Sequence, residues 1–109
     1  MSEINTQDTI ATGAEMLLAV YLEQYRLERP GSKKYIDQLG YAIVKFGKFL
    51  GRLPRLGDLT TQNANAWLEE VSKSVKPDTL KGYKRQLLCL WRGAFEAELL
   101  DYEPKRIRK

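Results

Sequence analysis

Residues 33–50 read KKYIDQLGYAIVKFGKFL, and the apolar side chains of this stretch recur with the period of an α-helix. Steps of 3, 4, 3 and 4 residues connect the apolar positions Ile36, Leu39, Ile43, Phe46 and Leu50. Such spacing gathers these side chains into one stripe, which other elements have to cover. Gly40 and Gly47 lie beside the stripe. Because glycine lowers helix stability, we expect a close helix neighbour to compensate there.

A shorter helix is predicted before this segment, over residues 15–28. Its apolar positions are Leu17, Val20, Tyr21 and Leu27. The sequence RPGS then ends this helix, because a Pro-Gly pair interrupts regular structure and Ser32 can cap the helix that follows.

A third helix is predicted after the turn-rich sequence GRLPRLGDLT, where Thr60 or Thr61 can serve as its cap. Its apolar face consists of Ala64, Trp67, Leu68 and Val71. The sequence SVKPD then breaks the chain before a fourth helix, from about Asp78 to Leu100. The core side of that helix consists of Leu80, Tyr83, Leu87, Leu90, Trp91 and Ala94, with Phe95 adjacent. Because no strand-like alternation occurs, the sequence predicts an all-α four-helix bundle.

Composition excludes several classes of function for this chain of 109 residues, which has the length of one domain. Cys89 is the sole cysteine and histidine is absent, which removes an internal disulfide, a zinc cluster and the commonest general base. Glu69 and Glu70 are adjacent on one helix and therefore point apart. We expect no active site, no metal and no cofactor. No apolar stretch approaches the roughly 18 residues of a membrane span, and we expect a cytoplasmic protein.

The charge of the chain is unevenly distributed. Residues 1–29 carry five acids and two arginines, a net charge of −3. Because the whole chain has a net charge of +4, residues 30–109 carry +7. A polyanion would therefore meet the second part of the chain.

The cations of the fourth helix form one flank. At about 100° per residue, Lys81, Arg85 and Arg92 share a sector, and Lys84 borders it nearer the core. Cations in the first turns of a helix oppose its macrodipole, unless an anion binds there. Gly82, Cys89 and Gly93 form a separate small-residue strip, which we interpret as a site of close packing.

The second helix has a similar flank, made of Lys34, Gln38, Tyr41, Lys45 and Lys48. Lysine and arginine neutralise phosphates, while arginine, glutamine and tyrosine also contact base edges. Two basic flanks with interleaved hydrogen-bonding residues are typical of a surface that binds double-stranded DNA. The alternative interpretation is a pair of solvated helix faces.

The order of these segments resembles the N-terminal core-binding domain of tyrosine recombinases of the phage-integrase type, over residues 14–109. The second-helix motif of that family matches Tyr35, Leu39, Phe46 and Phe49, and its third-helix motif matches Leu59, Thr60 and Trp67. The start of its long last helix matches Lys76, Pro77, Thr79, Lys84 and Arg85, and its exit matches Tyr102 and Pro104. Gly82 and Gln86 depart from the pattern, which has a helix former and a second basic residue at these places.

The resemblance implies an orthogonal, SAM-like helical bundle that packs against one face of a recombination site, with contacts from the second and fourth helices. By position, these contacts would come from Ser32, Lys33, Lys34, Tyr41, Lys45, Thr79, Lys81, Lys84 and Arg85, to which the shared sector of the fourth helix adds Arg92. The family's catalytic residues belong to a separate downstream domain, so we expect no enzyme activity here. The expected organisation is a flexible arm at 1–13, the DNA-binding domain at 14–103 and the start of a linker at 104–109.

Partners implied by the resemblance are double-stranded DNA and other protomers of the recombinase in a bacterial or phage-infected host cell, with the isolated domain monomeric. The alternative function is a helical protein-interaction module without DNA binding. Such a module would present Trp67, Trp91 or the strip of Gly82, Cys89 and Gly93 to a partner helix. Association that does not respond to salt would favour this alternative.

Overall fold

The computed structural model describes residues 13–28 and 32–107, and these residues form an all-α domain. Its long helices are α1 (Leu18–Glu28), α2 (Lys33–Leu50), α3 (Thr61–Ser72) and α4 (Pro77–Glu96), with a 3-10 turn at Leu56–Asp58. No β-strand occurs within the described residues, where an isolated antiparallel bridge joins Leu17 to Arg55. The predicted all-α class is confirmed. No helix in the described ranges is long and apolar enough to cross a membrane.

Helix α2 has the bounds that its sequence predicts. The Ser32 hydroxyl accepts a hydrogen bond from the backbone N–H of Tyr35 at 3.4 Å, which caps the first turn. At the other end, Gly51 adopts a left-handed conformation with φ 78° and donates its N–H to the carbonyl of Gly47. All five positions of the predicted stripe pack into or against the core.

The space beside the two glycines of α2 is filled by two different parts of the chain. Gly40 faces the side chain of Leu22 in α1, as expected of a close helix neighbour. Gly47 instead faces the connection after α2, where a Cβ atom would lie 2.8 Å from Cδ of Pro54. The expectation of a helix neighbour is therefore wrong at Gly47, because the returning loop fills that space.

Helix α1 is rotated relative to its prediction. Leu18, Tyr21 and Leu22 are buried, whereas Val20 is 47% exposed and Leu27 is 73% exposed. The helix also begins three residues later than predicted. The reason is that the backbone around Leu17 bonds to the connection after α2, with the N–H of Leu18 donating to the carbonyl of Pro54 at 2.9 Å.

Helix α4 ends four residues before its predicted end. The N–H groups of Leu99 and Leu100 both bond back to the carbonyl of Ala94, and Glu98 takes a left-handed conformation with φ 63°. This unwinding turns Leu100 into the core, where it is 5% exposed. A continuous helix would have carried Leu100 past the end of the bundle. Phe95, predicted beside the core, is 36% exposed.

The connection between α2 and α3 is fixed by Asp58, whose side chain is only 12% exposed. Its carboxylate accepts the backbone N–H of Arg55 at 2.8 Å and pairs with the guanidinium of Arg52. Its carbonyl accepts a hydrogen bond from the side chain of Asn63 at 2.9 Å. Thr60 is the one of the two candidate residues that caps α3, because its hydroxyl accepts the backbone N–H of Asn63 at 3.1 Å.

Residues 101–107, here called the C-terminal segment, turn back along α3 and α4. Trp91 donates its indole N–H to the carbonyl of Tyr102 at 3.3 Å, and the two rings meet edge to face. Thr61 and Asn65 of α3 donate to the carbonyls of residues 105 and 106 at 2.8 and 3.1 Å. Ile107 packs against the core. The described part of the predicted linker, residues 104–107, therefore lies against the domain.

Candidate nucleic-acid interface

Helices α2 and α4 pack side by side and run antiparallel. The hydroxyl of Tyr35, in the first turn of α2, lies close to the thiol of Cys89 in the second half of α4. Near the other end of α2, the ring of Phe46 packs on Trp67 at a centroid distance of 5.3 Å. Trp67 in turn lies 5.6 Å from Tyr83, in the second turn of α4. The two helices are therefore adjacent near the start of α2, and Trp67 of α3 lies between them near the other end.

Arg85 of α4 acts electrostatically on Tyr35 of α2. Burial, followed by a hydrogen bond with Cys89, raises the pKa of Tyr35 to about 12. The positive charge of Arg85 acts on the same hydroxyl in the opposite direction and lowers its pKa. Tyr35 is neutral at physiological pH. The effect of Arg85 on its pKa places the guanidinium within electrostatic range of the hydroxyl.

The basic flank of α4 borders an open cleft of about 500 Å³. Its lining residues are Lys81, Lys84, Arg85, Leu88, Cys89 and Arg92. Three of the four cations are exposed, while Lys84 is half-buried and donates to the carbonyl of Ile107 at 3.5 Å. The predicted sector on α4 is therefore present as one cation-lined surface.

The predicted contact residues of α2 lie at the surface, and some of them already interact with other residues of the helix. Lys33 pairs with Asp37 at 3.1 Å, so its charge is partly compensated, and the hydroxyl of Ser32 is used as the helix cap. Lys34 and Lys45 are exposed, and the ammonium of Lys45 lies 5.6 Å from the centre of the Tyr41 ring.

The start of α4 exposes Thr79 on its first turn. Lys76 occupies the cap position without a capping side-chain bond, and Pro77 follows as the first helical residue. Asp78 also belongs to this turn, so the helix start is not purely cationic.

Carboxylates leave most of these cations uncompensated. Ion pairs between described residues join Arg26 to Glu23, Lys33 to Asp37, Arg52 to Asp58 and Lys73 to Glu70. None of these pairs involves the predicted contact residues Lys34, Lys45, Lys81, Lys84, Arg85 or Arg92. Within the described ranges, the flanks of α2 and α4 thus keep their positive charge.

Helical period places the cations of each helix on the side away from that helix's own core stripe. On α2, Tyr35 points to α4 and Ile36 to the core, so Lys34 and Lys45 project outward beyond Tyr35. On α4, Arg85 lies about 40° around the helix from Cys89, on the side that also carries Lys81 and Arg92. Because the helices are adjacent, we define the basic face as Lys34, Lys45, Lys81, Lys84, Arg85 and Arg92.

The small-residue strip is mostly covered. The Sγ atom of Cys89 lies 3.2 Å from the hydroxyl of Tyr25, and a Cβ atom at Gly93 would collide with the hydroxyl of Tyr21. Close packing of α1 is therefore confirmed at these two positions. Gly82 differs, since its nearest neighbour is the side chain of Gln86 on its own helix.

The indole rings cannot serve as the partner surface of an interaction module. Trp67 and Trp91 are each 1% exposed. Sequence reasoning also missed the C-terminal segment as a neighbour of α4, although KRIRK is a visible basic run. In that segment Lys105 and Arg106 have exposed side chains, while their carbonyls are bound to α3.

No three carboxylate or cysteine side chains of the described residues come together as metal ligands would. Comparison of the chain with protein-family models, with curated proteins and with solved structures found no match. The basic face can bind an extended anion through several point charges.

Proposed function

We propose that this domain binds double-stranded DNA through the basic face of α2 and α4. The observation that carries the proposal is that two adjacent helices both bear exposed cations without carboxylate partners among the described residues, and that the charge of Arg85 on α4 reaches Tyr35 on α2. Uncompensated lysine and arginine side chains gain affinity for DNA by releasing its counterions. Exposed Tyr41 and Gln38 add groups able to contact bases or sugars.

Within DNA-binding proteins, we propose a core-binding domain of a tyrosine recombinase. This step depends on the sequence resemblance, in which the second and fourth helices carry the DNA contacts. The domain would grip one face of the recombination site, while a separate catalytic domain would carry the reaction. Such a protein acts in the cytoplasm of a bacterium or a phage-infected host cell, together with further protomers on the same DNA.

The proposal can be tested by titrating a labelled duplex with the 109-residue chain at several salt concentrations. If about four phosphates are neutralised, log K falls with log salt at a slope of about −3.5. Changing Lys81 and Arg85 together to alanine should weaken binding by about tenfold or more and reduce the slope by about two.

A matched control removes the same charge elsewhere. Arg26 and Lys73 are exposed and lie in local pairs on α1 and at the end of α3. Their double alanine variant should bind the duplex nearly as well as the parent. Equal losses in both double variants would mean that net charge alone governs binding, and the basic face would lose its assignment.

A further inference from the structure

A second surface, an apolar cleft of about 550 Å³, lies between the start of α1, the second half of α2 and the loop that follows α2. Its residues are Leu17, Ala19, Ile43, Val44, Gly47, Lys48, Gly51, Arg52, Leu53 and Pro54. Val44 is 54% exposed and Leu53 is 72% exposed at its mouth. Lys48, predicted on the basic flank of α2, lines this cleft, and none of the residues of the basic face does.

The walls of the apolar cleft are held in place by the fold. The backbone N–H of Leu18 bonds to the carbonyl of Pro54, and the N–H of Leu56 bonds to the carbonyl of Met16 at 2.8 Å. Pro54 also packs closely over Gly47. These contacts fix the loop against both helices, so the cleft exists before any ligand binds, as binding sites commonly do.

The charged residues of the apolar cleft have one sign. Lys48 and Arg52 are its only ionisable lining residues, and both are cations. Arg52 already pairs with Asp58, whereas Lys48 has no ion pair with a described carboxylate. A ligand that fits therefore brings apolar groups to the walls and a carboxylate to the edge at Lys48.

We propose that the apolar cleft binds an amphipathic segment of a partner protein, with large apolar side chains on one face and carboxylates beside them. The cleft continues into the exposed side chains of Val44 and Leu53 and does not enclose a ligand as small-molecule sites do. A helix or strand laid into a groove matches that shape. A second globular copy would need about 20–30 residues on each side, far more than this cleft offers.

The probe for this proposal is a synthetic four-turn helical peptide with leucines on one face and glutamates along both edges of that face. The isotope-labelled 109-residue chain is titrated with the peptide, and amide resonances report the residues affected. We expect saturable shifts around Leu17, Val44, Gly47 and Leu53. A peptide with lysines in place of the glutamates should bind about tenfold more weakly, since Lys48 would repel it.

Two variants distinguish binding in the apolar cleft from non-specific binding to exposed apolar side chains. Changing Val44 and Leu53 together to glutamine should weaken binding of the glutamate peptide by about tenfold. The matched control is Leu27→Gln, because Leu27 is 73% exposed on α1 and does not line the cleft. That variant should bind the peptide as the parent does.

Three results would overturn the proposal. In the first, saturation shifts the resonances of Lys81, Arg85 and Arg92, so the peptide is a ligand of the basic face. In the second, the cleft resonances move with protein concentration alone, so a second copy occupies the cleft. In the third, both peptides bind equally, and the charge of Lys48 has no part in recognition.

Discussion

The sulfur of Cys89 lies 3.2 Å from the hydroxyl oxygen of Tyr25, a residue 64 positions earlier in the chain. Cys89 also lies close to the hydroxyl of Tyr35 and lines the cation-bearing cleft of α4. One small side chain thus joins α1, α2 and α4 directly behind the basic face. The orientation of the proposed DNA-binding surface depends on this packing, which small residues on α4 permit.

Replacing Gly93 with alanine should destabilise the domain. The new Cβ atom would collide with the hydroxyl of Tyr21, which is 4% exposed and has little room to move. Overpacking costs about 1–3 kcal/mol, and the helix propensity of alanine returns up to about 1 kcal/mol. Chemical denaturation should show the loss, and Tyr21→Phe should reduce it. A penalty that Tyr21→Phe leaves unchanged would place the strain elsewhere.

The stability of the domain should fall at alkaline pH through Tyr35. Burial and the bond with Cys89 raise the pKa of this residue from 10.0 to about 12, so the folded state holds the phenol proton more tightly than the unfolded chain does. The stabilisation is complete below about pH 10 and is lost as the pH rises toward 12.

Denaturation between these pH values should therefore show a shallower fall for Tyr35→Phe than for the parent. Burial also raises the pKa of Tyr102, so part of the fall in stability with pH should remain in the Tyr35→Phe variant. The control is Tyr41→Phe, since Tyr41 is 63% exposed. If Tyr41→Phe flattens the slope as much as Tyr35→Phe does, the assignment to Tyr35 is wrong.

Replacing Asp58 with alanine should cost about 1–3 kcal/mol of unfolding free energy. The change leaves the N–H of Arg55 without its acceptor and removes the partner of Arg52. Asp37→Ala is the matched control, because its pair with Lys33 is exposed and should contribute about 0.5 kcal/mol. Comparable denaturation midpoints for the two variants would show that Asp58 does not hold the loop.

Release of the C-terminal segment should follow removal of its α3 donors. Thr61→Ala and Asn65→Ala each delete a hydrogen bond to a carbonyl of the segment, worth about 0.5–1.5 kcal/mol. Amide hydrogen exchange over residues 101–107 should become faster in the double variant while the core of α4 keeps its protection. Gln62→Ala, on the exposed side of α3, is the control. Unchanged exchange would mean that the contacts of Ile107, Trp91 and Lys84 hold the segment without the α3 donors.

Lys84 and Lys81 should contribute unequally to DNA binding, if the proposed function holds. The ammonium of Lys84 already bonds the carbonyl of Ile107 and its side chain is half-buried, whereas Lys81 is exposed. Lys81→Ala should therefore lower duplex affinity more than Lys84→Ala, by about twofold or more at moderate salt. Fluorescence anisotropy on one duplex measures both. A larger loss for Lys84→Ala would show that DNA displaces the C-terminal segment from it.

Local chemistry made parts of the fold predictable. The unbroken stripe of α2, the cap at Ser32 and the break after it are encoded within a few residues of each other, and the structure has them as predicted. The sector shared by Lys81, Arg85 and Arg92 was also predictable, because it follows from helical period alone. The buried face of α1 was not predictable, because its short apolar pattern fits more than one rotation of the helix about its own axis.

The sequence by itself determined the helices, their polarity patterns and the excess of positive charge on α2 and α4, because these properties depend on near neighbours in the chain. Only the tertiary structure decided that α4 unwinds before Leu100, that the C-terminal segment returns to α3 and that the charge of Arg85 reaches Tyr35. Such relationships arise from packing between residues far apart in sequence, where burial of apolar surface outweighs local preference.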